Sequence, residues 1–130
     1  CFLDLFPPEA REQTLARARA EGDGWRSPPQ WEARPFGVTD PADAEWVRGK
    51  LTAHPVKTWT QPARLANPAA AVLPRTYVHC TVTGWFSKFA EQVRMEPGWH
   101  CRELPAVHDA MVTAPRELAV LLQEVVSGGW

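Results

Sequence analysis

The sequence contains no run of roughly 18–20 consecutive apolar residues, so a membrane-spanning helix is not expected. It also lacks an excess of either charge. Fourteen Lys and Arg stand against fifteen Asp and Glu, a net charge of −1, so neither nucleic acid nor an anionic lipid surface is an expected partner. Cysteine is scarce: Cys1, Cys80 and Cys101 are too few for a disulfide scaffold and have no CxxC spacing. Reduced thiols in a cytoplasmic protein are the expectation. No HxH, HxxxH or Cys–His cluster links His54, His79, His100 and His108, so no metal site and no cofactor are expected. There is no charged-then-apolar leader that would direct export, no internal repeat and no low-complexity tract.

Proline and tryptophan are abundant instead. Thirteen Pro in 130 residues favour many helix starts and bent loops over long regular elements, and seven Trp are large rings that must pack or line a cavity. With 45% hydrophobic and 22% charged residues the composition suits one globular domain rather than a disordered chain. The chain opens on Cys1 instead of methionine, from which a processed product or an excerpt is expected.

Local signals place the elements. Pro7-Pro8-Glu9 opens and Gly22 closes a helix over Pro7 to Glu21, in which Leu15 is almost the only large apolar residue. Gly22 to Val38 reads as an aromatic-rich loop with Trp25, Trp31 and Phe36. Asp40 as N-cap and Pro41 at the first position start a second helix ending near Lys50. Thr52 to Pro74 is interrupted by Pro55, Pro62 and Pro68, too often for a long helix or a central strand. Arg75 to Thr81 is β-branched and aromatic, which suits a strand. A helix over Trp85 to Met95, a strand over Trp99 to Leu104 and a helix capped by Thr113 and ended by Gly128-Gly129 follow.

Strand, helix, strand, helix makes an α/β unit with parallel strands. Parallel sheets are covered on both faces and normally hold several strands, whereas this chain offers two, so it is expected to complete a larger sheet supplied by another polypeptide. His108 falls between the second strand and the last helix, at the edge where open α/β sheets bind ligands. An imidazole there can act as general base, since its pKa is near neutral. A loop histidine with a structural hydrogen bond is the plainer alternative.

The stretch Leu104 to Val125, with His108-Asp109-Ala110-Met111-Val112-Thr113-Ala114-Pro115, resembles the C-terminus of the α/β-hydrolase superfamily. The resemblance extends to Asp4-Leu5-Phe6-Pro7-Pro8-Glu9, Gly22-Asp23-Gly24-Trp25, Phe36-Gly37-Val38-Thr39-Asp40-Pro41 and Pro74 to Thr81. These segments are similar to actinobacterial esterase-like hydrolases related to plant methylesterases and hydroxynitrile lyases. The resemblance implies a mostly helical cap over residues 1–74 and the last two strands and helices of the hydrolase core over 75–130. It implies ester, thioester or lactone hydrolysis or acyl transfer on a small apolar or aromatic substrate, in a setting such as secondary-metabolite biosynthesis. A repurposed fold acting as lyase or cyclase, or a non-catalytic ligand-binding protein, are the alternatives.

The resemblance makes His108 the triad base. The serines are Ser27, Ser87 and Ser127, and none lies in a Gly-x-Ser-x-Gly elbow, so the nucleophile and the oxyanion-hole amides are expected on an N-terminal portion of the same hydrolase. Relatives place the acid after the penultimate strand, where Thr81-Val82-Thr83-Gly84-Trp85 carries no carboxylate. Asp4 is the candidate acid if Cys1-Phe2-Leu3 ends a strand; in the other register Asp4 opens the cap and the partner supplies the acid. Asp109 is expected to be a turn or capping residue. Val107 stands where relatives have glycine, and a β-branched residue disfavours φ > 0, so the loop is expected to differ locally. Trp25, Trp31, Trp59 and Met111 are candidate substrate-lining residues, with Trp46 joining the cap tryptophans, whose other reading is a small cap core. Cys1 has two readings: a self-processing nucleophile that attacks the carbonyl preceding it, or a residue beside an ordinary cleavage point.

Overall fold

The computed structural model describes residues 1–29, 36–64, 66–84 and 86–128. The chain divides into two units, Cys1–Ala33 with Val47–Ala66 and Arg34–Trp46 with Asn67–Trp130. The segment around Phe36 to Trp46 and the stretch from Asn67 fall in the same unit as the C-terminal strands. Among the described residues no helix is long and apolar enough to cross a membrane.

In the first unit a 3₁₀ turn, Phe2–Leu5, buries Leu3 and leads into helix α1, Pro8–Glu21. Pro8 suits the first helical position because its fixed φ is already helical and its missing N–H would have no partner there. Only Ala18 of α1 is fully buried, the thin apolar face that its composition announces. Gly22 ends the helix with its N–H donating to the Ala18 carbonyl, and the chain turns back so sharply that Arg26 N–H donates to the Gly22 carbonyl. A Cβ on Gly22 would sit 1.7 Å from the Arg26 carbonyl oxygen, so the reversal admits no side chain there. Strand β1, Arg26–Ser27, then pairs antiparallel with β2, His54–Pro55, and Val56 N–H donates to Trp25 C=O at 2.8 Å. This short ladder joins two regions expected to be irregular, and helix α3, Lys57–Thr60, lies in the second of them. Helix α2, Pro41–Arg48, spans the division between the units; Asp40 Oδ1 accepts from the Ala42 and Asp43 amides at 2.9 and 3.1 Å, the cap expected of it.

The second unit opens with a 3₁₀ turn, Pro68–Val72, capped by the Asn67 side chain. Strand β3, Arg75–Cys80, helix α4, Ser87–Met95, and strand β4, Trp99–Leu104, follow. The strands pair in parallel from Arg75 opposite Trp99 to Cys80 opposite Leu104. The expected start of α4 at Trp85 lies outside the described residues, as does Gly129 at the end of the chain.

Side chains alternate across a strand, which sorts these residues into two faces. His79 and Glu103 point to one face, where His79 Nε2 meets Ser87 Oγ at 3.2 Å and Glu103 pairs with Arg94, both partners on α4. Val78, Cys80, Arg102 and Leu104 point to the other. There Leu104 packs in a cluster with Ala106, Ala110 and Leu121, and Arg102 pairs with Glu124. Leu121 and Glu124 belong to helix α6, Pro115–Val126, so helices cover both faces of the pair. Among the described residues neither outer edge of the pair carries another strand.

One boundary differs from expectation. Thr113 does not cap the last helix; it ends a separate one-turn helix α5, Ala110–Thr113, with its hydroxyl on the Asp109 carbonyl. Pro115 explains the break. The proline ring disfavours helical geometry in the residue before it, and Ala114 sits at φ −143°, ψ 53°.

Leu121 is 6% exposed at the centre of the α6 contact, whereas Leu122 is 48% exposed. Leu121→Ala is therefore expected to lower the unfolding free energy of the intact protein by about 2–5 kcal/mol. Leu122→Ala should change it by about 0.5 kcal/mol or less. Urea titration of the two variants checks both, and equal losses would contradict the packing.

Candidate functional site

Five residues follow β4 before α5 begins, and hydrogen bonds draw them sideways over the end of β3. Thr81 N–H donates to Leu104 C=O at 3.0 Å and Val82 N–H to Ala106 C=O at 3.1 Å, while the Cys80 thiol lies 4.0 Å from the His108 carbonyl oxygen. The loop thus carries His108 across the carboxyl end of the neighbouring strand. Tyr77, Val78, Cys80, Phe86 and His108 line a cavity of about 290 Å³ there. The cavity thus lies against the carboxyl-terminal half of β3.

Two phenyl rings flank the imidazole. Phe86 lies 4.9 Å from it between centroids at 33°, and Phe36 lies 5.6 Å away at 31°. Backbone reinforces the second contact, since Asp109 N–H donates to Phe36 C=O at 3.3 Å. Val107, where a glycine was the expectation of the resemblance, does not adopt a left-handed conformation; among the described non-glycine residues Asp23 alone does. Space for the valine comes from Gly37, where an added Cβ would stand 2.6 Å from Val107 Cβ.

Burial dominates the electrostatics. It pushes the Cys80 thiol up from its ordinary value, with the Asp109 charge adding to the effect, so the thiolate is disfavoured. Burial also raises Tyr77, helped by the neighbouring Cys101 and Cys80. Asp109 is raised by burial, an effect that His108 partly opposes. Asp109 stands at the N-cap position of α5, yet its carboxylate makes no capping hydrogen bond. Burial thus favours the neutral forms of Cys80, Tyr77 and Asp109 near His108. Among the described residues no carboxylate hydrogen-bonds to the His108 ring, and no cluster that could hold a metal ion occurs.

Of the residues singled out in the sequence, His108 lines the cavity. Asp4 and Cys1 belong to the first unit, where the Cys1 amino group bonds to the Asp4 carboxylate and Arg11 reaches the same carboxylate at 3.0 Å. That hydrogen bond from the amino terminus, with both positive charges, holds the Asp4 carboxyl below its ordinary range although partial desolvation opposes it. Trp25 is 57% exposed with the Arg26 guanidinium 5.4 Å over its ring, and Trp59 stacks on His54 at 4.4 Å, both in the first unit. Trp46 is exposed, Trp31 lies outside the described residues, and Met111 is exposed on α5. Tyr77, Cys80, Phe36 and Phe86 were not singled out. For Tyr77 and Cys80 the signal was their place near the carboxyl end of a strand beside the histidine; Phe36 carries no local signal, because its contact spans some seventy residues.

No protein-family model, curated protein or solved structure matches this chain.

The raised pKa of Asp109 fixes the sign of a pH effect. The folded state holds that proton more tightly than the unfolded state, so the group costs stability as pH rises from the ordinary aspartate value, about 3.9, through the raised one. Asp109→Asn should match the parent in acid, where the carboxyl is protonated, and become the more stable of the two towards neutrality. Thermal midpoints of both proteins across that range check this; a variant that loses stability at neutral pH would show that the carboxylate is favourably paired.

Proposed function

We propose that the second unit is the histidine-bearing end of an α/β-hydrolase sheet, and that His108 is its general base. The observation that carries this reading is the path of the 105–109 loop. It takes the imidazole off its own strand and across the carboxyl end of β3, where it lines a cavity with Val78, Cys80 and Phe86. Ligands of open parallel sheets bind at that end, and a nucleophile on an added strand would emerge beside His108. The resemblance of residues 104–125 to the hydrolase C-terminus supports the same assignment.

In this reading an N-terminal portion of the same hydrolase supplies the missing strands, the nucleophile, the oxyanion-hole amides and the acid that orients the imidazole. His108 takes the proton from the nucleophile's hydroxyl as its oxygen bonds to the acyl carbon, then returns a proton to the departing alcohol, thiol or ring oxygen. Water deacylates the intermediate by the same base. Val78 and Phe86 give the cavity an apolar wall, which suits a small apolar or aromatic ester, thioester or lactone. The Cys80 thiol, held protonated by burial, is a wall and not a competing nucleophile.

His108→Ala in the intact protein is the test, with p-nitrophenyl butyrate as substrate and a fluorophosphonate as trap. Turnover should fall by about 10³-fold or more, and labelling should slow with it, because the nucleophile loses its base. Near-full turnover in a folded His108→Ala protein would remove His108 from the chemistry. Labelling that fails in the parent while His108 is still required for ligand conversion would favour a lyase or cyclase on the same scaffold.

A further inference from the structure

Two consecutive residues touch three consecutive residues within the second unit. Phe36 presents its ring to the His108 imidazole and its carbonyl to the Asp109 amide, and Gly37 lies against Val107. The segment is anchored just beyond these contacts, because Val38 is 5% exposed and Asp40 caps α2. Gly37 cannot be replaced freely: its φ is +85°, and a Cβ would come within 2.6 Å of Val107 Cβ and 2.8 Å of Cγ1. Both partners are backbone-adjacent, so neither can yield without moving its chain. The two positions are complementary, the valine side chain filling the space that the glycine leaves.

We propose that the strap Phe36–Val38 is a positioning clamp for His108, with Phe36 and Phe86 fixing the imidazole and the Gly37–Val107 contact fixing the loop that bears it. The purpose of such a clamp rests on the reading of His108 as general base. A proton-transfer group must be held to a fraction of an ångström, and the ring of Phe36 and the backbone bond from Asp109 to Phe36 bear directly on the residue that carries this one. Ring contacts and one backbone hydrogen bond to the next residue steady it from within this chain, leaving one imidazole nitrogen for the acid of the N-terminal portion and the other for proton transfer. Phe36 is thus a positioning residue that acts through His108, drawn from a segment far away in sequence.

The test uses the intact protein with ¹³C-labelled histidine, the His108 Cε1–Hε1 peak being identified by its loss in His108→Gln. Phe36 is 37% exposed, so Phe36→Leu removes the ring without opening the core. It should move the His108 peak and lower kcat for p-nitrophenyl butyrate by about 10- to 100-fold at nearly constant KM. Phe36→Tyr should return both to the parent values. Gly37→Ala should also move the peak, and Val107→Gly added to it should bring the peak back towards its parent position. A His108 peak that stays in place in Phe36→Leu overturns the clamp, whatever the activity. A peak that moves, in a protein whose His108→Gln variant still turns over, leaves the clamp standing and overturns the hydrolase reading instead.

Discussion

The second unit depends on one constraint: a parallel pair of strands needs cover on both faces, because the connections between its strands run over them. The crossover helix α4 meets one face through Ser87 and Arg94, and α6 meets the other through Leu121 and Glu124. Once both faces are taken, the exposed hydrogen-bonding groups of the pair lie along its edges. Among the described residues the outer edges of both β3 and β4 are unpaired, and His108 lies across the carboxyl end of β3. The pair is too narrow to form a sheet core of its own. An edge of this kind invites a partner strand by the same backbone chemistry that joins β3 to β4.

The polarity of the cavity follows from that arrangement. Groups flanked by two covered faces lose water, and each acid there, Cys80, Tyr77 and Asp109, is pushed towards its neutral form. Desolvation of this kind does not create a nucleophile. It favours the neutral thiol and phenol over their anions. By contrast, the carboxylate of Asp4 is stabilised in its charged form by the amino group of Cys1 and by Arg11, a surface arrangement in the other unit.

Much of the second unit was legible in the sequence, and the reason is that its signals are local. Asp40-Pro41 names a helix start through one side chain and one fixed dihedral, Arg75 to Cys80 is a short uninterrupted run of strand formers, and Pro97-Gly98 separates the following strand from α4. The parallel pairing followed from the order of elements. Thr113 misled because it has the residue type of a cap, while the stronger local force was Pro115 acting on Ala114. What could not be read was long-range. The β1–β2 ladder joins two short segments of no strand-like composition, and the contact of Phe36 and Gly37 with Val107 to Asp109 depends on a chain path that no spacing encodes. The tryptophans were conspicuous by size, but size alone does not say which rings face a cavity: Trp25 lies under an arginine and Trp59 against a histidine.

The break at Ala114 has a mechanical meaning. Had the chain run helically from Ala110 to Val126, it would have formed a rod about 25 Å long, rigid enough to act as a lever. Any rocking of its exposed far end, where Val126 is 87% exposed, would then have been delivered to the loop at its near end. The non-helical joint after one turn instead lets the two segments take separate directions, α5 keeping to the loop that bears His108 and α6 lying across the sheet face, with Ala110 and Leu121 still meeting in one cluster.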